Sequence, residues 1–113
     1  VDALKGVAMK KILTGLLMVP TMASAEFMSG NNLLSDMNGD IVDQMIALGY
    51  VMGVSDVFTN GTVCPPNNVT AGQVKDIIKR HLEANPSIRH FTADSLIKNK
   101  LEEIWPCRRG RGT

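Results

Sequence analysis

The chain has 113 residues, 44% of them hydrophobic and 20% charged, with a formal net charge of +1 and two cysteines. That length points to one domain, and at this size a hydrophobic core is marginal, so a covalent cross-link would matter. The near balance of charge excludes the basic footprint that nucleic-acid binding requires.

The first predicted element is an export signal. Met9-Lys10-Lys11 supplies a positive n-region, residues 12–22 an apolar h-region, and Ala23-Ser24-Ala25 a small-x-small cleavage pattern. The chain therefore divides into 1–25, upstream residues plus a cleavable signal peptide, and 26–113, a single helical domain beginning at Glu26 and closing with a disordered basic tail, 108–113. Val1–Ala8 precede the expected start at Met9. An h-region of eleven residues, broken by Gly15 and Pro20, is too short for a spanning helix, which needs roughly twenty. No cysteine stands at the cleavage site for lipid attachment. The expected destination is the periplasm, with no membrane association after cleavage. Residues 26–113 carry nine Lys plus Arg against ten Asp plus Glu, so the basic excess belongs to the signal.

Four helices are predicted in the mature region, in an all-α bundle. A short one covers Gly30–Met37, with Leu33, Leu34 and Met37 apolar. A long one covers residues 40–58, with Asp40 as N-cap. Apolar residues fall on nearly every face of it, which predicts a helix surrounded by partners. Gly49 and Gly53 stand four apart within it and would let a neighbouring backbone approach closely inside the bundle. Asn60-Gly61 ends this helix, and Cys64-Pro65-Pro66-Asn67-Asn68 makes a stiff, turn-rich connection. Thr70 and Gln73 form a capping box, so the third helix starts at Ala71, buries Val74, Ile77, Ile78, His81 and Leu82, and stops near Asn85-Pro86. Thr92 restarts a helix with Ala93, Leu96, Ile97, Leu101 and Ile104 on its inner face, ended by Pro106. No segment alternates with period two, so no sheet is expected.

Cys64 and Cys107, 43 positions apart, are expected to form one intramolecular disulfide in an oxidising compartment. No catalytic apparatus is visible: only His81 and His90 could activate a cysteine, and His81 reads as a core or edge histidine on an apolar stripe. The Cys-His-His-Cys gaps of sixteen, eight and sixteen residues lack the short pairings of structural zinc sites, so neither metal nor cofactor is expected. Asn60-Gly61-Thr62 and Asn68-Val69-Thr70 match a glycosylation sequon formally, but the signal looks bacterial and Thr70 is already a cap. Three arginines in the tail are weak evidence for nucleic acid.

The order of landmarks is more specific than any one of them: Gly49-Tyr50-Val51-x-Gly53-Val54, Cys64-Pro65-Pro66, Val69-Thr70-x-x-Gln73, and Trp105-Pro106-Cys107. This order resembles the Rap1a/Tai family, small periplasmic immunity proteins that block type VI secretion amidases, over about residues 29–107. The resemblance implies a compact all-helical protein that often pairs as a homodimer and binds a cell-wall amidase effector as a stoichiometric inhibitor, not as an enzyme. Relatives typically carry two further cysteines where this chain has Met37 and Ala47, apolar replacements consistent with loss of one disulfide as a unit.

Two loops qualify to plug an amidase cleft. The preferred one, 85–91, is pinned by Pro86 and offers Asn85, Ser87, Ile88, Arg89 and His90, with Ile88 as an apolar tip and Arg89 and His90 as hydrogen bonders. The second, 60–68, offers Asn60, Thr62, Asn67 and Asn68. The alternative function is a small exported chaperone or stress protein that binds unfolded clients through a Met-rich apolar surface.

Overall fold

The computed structural model of the chain describes residues 27–108. The signal segment and the tail beyond Arg108 lie outside the described residues. Each predicted helix is present: α1 (Gly30–Met37), α2 (Ile41–Phe58), α3 (Ala71–Ala84) and α4 (Ala93–Ile104), with a 3-10 turn at Pro86–Ile88 between the last two. Among the described residues there is no strand, only the isolated bridges Ser29 to Thr92, Thr59 to Val63 and Val63 to Pro106.

Local chemistry accounts for the helix boundaries. Ser29 caps α1 in a box with Asn32, its hydroxyl accepting from the Asn32 amide at 3.1 Å while Asn32 Oδ1 accepts from the Ser29 amide at 3.3 Å. Asp40 Oδ1 accepts from the Asp43 amide at 2.9 Å at the start of α2. The predicted Thr70 and Gln73 box is formed, with bonds of 3.2 and 2.8 Å. Helix α2 stops because Thr59 is extended and Asn60 adopts a φ of 66°, the left-handed region that asparagine tolerates better than most side chains.

The buried face of each helix meets the others in one core. Leu33, Leu34 and Met37 from α1, Val74, Ile78 and Leu82 from α3, and Ala93, Leu96, Ile97 and Leu101 from α4 form it with Ala47 and Val51 of α2 and Val63 of the following loop. On α3, Ile77 and His81 are only half-buried, at the edge of the predicted stripe, as is Ile104 on α4. Cys64 and Cys107 form the expected disulfide, with 4.9 Å between their Cα atoms. Met37 and Ala47 are both buried within this apolar core.

Helix α2 departs from expectation in its surroundings. It packs on α1, α3 and α4, but along one side only: just Ala47, Val51 and Ser55 are buried. Ile41, Val42, Met45, Ile46 and Val57 are 52 to 74% exposed. The glycines do not serve close packing within this chain either, because a Cβ placed on Gly49 or Gly53 would meet nothing within 4 Å. The physical reason is the number of layers. Three helices can cover one side of an 18-residue helix, and no fourth element exists among the described residues to cover the other.

Candidate functional site

Loop 85–91 is shaped by α1 as much as by its own residues. Helix N-termini leave amides without intrahelical partners, and here the loop satisfies two of them: the Gly30 amide donates to the Phe91 carbonyl at 2.9 Å and the Asn31 amide to the Arg89 carbonyl at 2.8 Å. The Ala93 amide donates back to the Met28 carbonyl at 2.7 Å. Residues 28–31 thus run beside 89–93 and fix the loop from outside. Gly30 is buried and allows this approach: a Cβ there would lie 3.0 Å from the Arg89 carbonyl oxygen and 3.1 Å from Arg89 Cα.

The five predicted residues of this loop are together but point in different directions. Asn85 turns back on α3, its Nδ2 donating to the His81 carbonyl at 2.9 Å and lying 3.2 Å from His81 Nδ1. Burial, then the Lys100 charge, pushes the His81 pKa below its ordinary value. Ile88 is half-buried and packs against the core, so it is not the apolar tip. A one-turn 3-10 segment rotates it inward. The apolar tip is instead Phe91, 51% exposed and tilted against the His90 ring at 4.2 Å between centroids. Periodicity could have flagged Phe91 only as an apolar residue in a loop, since its exposure depends on α1. Ser87 and His90 are exposed, and Arg89 is half-buried with its Nε shielded and without a hydrogen-bond partner. The outward surface is therefore Ser87, His90 and Phe91, with Arg89 half-buried beside them.

The second loop is wound tightly on itself. The Phe58 carbonyl accepts from the amides of Gly61, Thr62 and Val63 at 3.0 to 3.1 Å, and the Asn60 amide donates to the Val63 carbonyl at 2.8 Å. The Cys64 amide reaches the Trp105 carbonyl at 2.8 Å, beside the disulfide. Asn60, Thr62, Asn67 and Asn68 are all exposed. The Thr62 side chain, and after it Lys98, hold the Glu102 carboxyl below its usual range. Lys98 also lies 5.5 Å from the Phe58 ring centroid, so α4 braces the start of this loop. Loop 85–91 leads into the N-terminus of α4, whereas loop 60–68 is bonded to Trp105 beyond its C-terminus, so the two do not form one site.

The third surface was not foreseen. Along α2, Ile41, Met45, Gly49, Gly53 and Val57 fall every four residues, an i±4 row of the kind that packs helix on helix. Two large apolar side chains stand on one side of the glycine pair and one on the other, and α2 holds no lysine or arginine. The helix is long and apolar enough to cross a membrane by length and composition, and 17% of it is buried. Among the described residues no group of three or more His, Cys, Asp or Glu could hold a metal ion.

The family model described as Rap1a immunity proteins matches this chain over residues 29–107. That span runs from the N-cap of α1 to the second half-cystine and takes in all four helices, both loops and the α2 row. No curated protein matches the chain.

Proposed function

This chain belongs to the Rap1a immunity protein family, and from that premise we propose that it protects the periplasm by binding a type VI secretion peptidoglycan amidase and occluding its active-site cleft. Families of this kind act by binding a partner effector and are not typically catalytic. The observation that carries the reading is the match across the whole helical unit. What supports occlusion in particular is the rigidity of loop 85–91: its conformation is set before any partner arrives, so little ordering cost opposes insertion. The exposed His90 and Phe91 pair, with the half-buried Arg89 beside it, supplies the aromatic and arginine character that dominates binding hot spots.

The test replaces three polar side chains of the loop and leaves the packed Ile88 alone. Ser87, Arg89 and His90 changed together to alanine are expected to weaken binding to a cognate cell-wall amidase by at least about tenfold, with an unchanged urea midpoint. Ile88 stays, because its truncation would disturb the core. A panel of cell-wall amidases offered to the immobilised protein identifies the cognate one. Affinity unchanged by the triple substitution would remove this loop from the mechanism; retention of no amidase would remove the amidase as target.

We further propose that two copies pair through α2. A second copy fits this face better than an anionic lipid surface does, since α2 has Asp43 and Asp56 and no basic residue. It fits because the row is nearly self-complementary: a twofold axis at Gly49 sets the Ile41 end of one helix beside the Val57 end of the other, with glycines at the crossing. Substituting Gly49 and Gly53 by alanine separates pairing from folding. Each change meets open space in the single chain and removes a glycine from a helix interior, so the monomer should gain about 1 kcal/mol per site. Sedimentation should at the same time show a weaker dimer. A wild-type protein that sediments as a monomer at tens of micromolar would overturn the pairing, and capture of many unfolded clients by this face would favour the chaperone alternative.

A further inference from the structure

A cleft of about 320 Å3 opens between the C-terminal half of α2, the disulfide loop and the end of α4. Its floor reaches the core at Val63, Val74 and Leu101, and Trp105, Met52 and Val69 wall it. The rim is polar, with Asp56, Thr59, Asn60 and Asn67 around the mouth. All four carry side-chain oxygens able to accept; the Thr59 hydroxyl spends its proton on the Ser55 carbonyl at 2.7 Å and keeps its lone pairs.

The charge of the rim is one-sided. Asp56 is the one ionisable group among the lining residues, and it makes no ion pair with the described residues. Among the described residues no lysine, arginine or histidine lines the cleft. The walls are also held before anything binds, because the Cys64 to Cys107 bond, the Cys64 amide to Trp105 carbonyl bond and two prolines fix the roof to α4. A preformed hole with an apolar floor, a polar rim, an indole wall and one carboxylate at its mouth suits an alkyl stem that ends in a cation.

We propose that this cleft is a socket for a basic side chain of a partner protein, with the stem against Trp105 and Val69 and the cationic end at Asp56. In this arrangement loop 60–68 receives a side chain and does not insert one. The assignment stands apart from the amidase reading, which concerns loop 85–91.

Trp105 is the only tryptophan in the chain, so its emission reports occupancy of the cleft directly. The oxidised protein is titrated with n-butylammonium, Nα-acetyl-lysine methylamide, n-butanol and butyrate. Both amines are expected to change the emission saturably in the millimolar range, the alcohol more weakly, and butyrate not at all. In Asp56→Asn, checked for an unchanged circular dichroism spectrum, the amines should weaken by about threefold to fivefold, as for a partly exposed charge pair, while the alcohol is unaffected. Equal binding of amine and alcohol, an Asp56→Asn variant that keeps the amine preference, or changes that never saturate would each overturn the proposal.

Discussion

Replacing Cys64 and Cys107 by alanine is expected to lower the unfolding free energy by about 4 kcal/mol, the chain-entropy value for a loop closed across 43 positions. Small domains hold roughly 5 to 15 kcal/mol in all, so the variant would sit near the edge of folding. The size of the effect follows from where the bond lies. It joins the loop after α2 to the residue after Pro106 and so closes α3 and α4 into one ring. Urea unfolding of the oxidised protein, the reduced protein and the double alanine variant measures it, with the last two expected to agree. A loss below about 1 kcal/mol would mean that the loop's own hydrogen bonds, three of them to the Phe58 carbonyl, already hold it in the reduced chain.

Gly30→Val is expected to disable loop 85–91 with none of the loop's own residues changed. A Cβ at this position would sit 2.6 Å from Leu96 Cδ1, 3.0 Å from the Arg89 carbonyl oxygen and 3.1 Å from Arg89 Cα. The leucine methyl could turn aside, but the Arg89 backbone could not, since the Asn31 amide holds its carbonyl. Overpacking of this kind costs about 1 to 3 kcal/mol, and the loop must move away from α1 to relieve it. Partner affinity should therefore fall by more than about tenfold, because misplacement on the scale of an ångström is enough to spoil a preorganised contact. Gly72→Val is the control. Gly72 is exposed, and its nearest neighbour would be Thr70 Oγ1 at 4.0 Å, so affinity should be unchanged there. Equal losses in the two variants would show that the effect is not transmitted through the loop.

The helices were legible because their signals are local. A capping residue and its partner three positions on, a stripe at helical spacing, and Asn-Gly or Asn-Pro at an end are all read within one turn of chain. Thr70 with Gln73 and Asp40 before Ile41 are where the residues said they would be. Burial was less legible, as α2 illustrates. A helix apolar on every face is what a fully enclosed helix looks like, and equally what a half-covered one looks like when its other face awaits a partner. Composition cannot separate the two, because the count of covering elements is a property of the assembled chain.

The loops show the same limit at the scale of single side chains. Ile88 and Phe91 are both apolar and three residues apart, and nothing local decides which one faces water. The 3-10 turn at Pro86–Ile88 and the amides of α1 decide it, by turning Ile88 to the core and leaving Phe91 outside.

By itself the sequence determined the four helices, their caps, the pairing of the only two cysteines and the order of landmarks that marks the family. These depend on contacts within a few residues, or on there being a single way to pair two thiols. Only the tertiary structure decided which apolar residues stay exposed, that Gly49 and Gly53 face outward, that α1 clamps loop 85–91 through Gly30, and that the disulfide loop roofs a cleft. Each of those is set by which segments, distant in the chain, come to lie against one another, and that is fixed by how all the buried faces are satisfied at once.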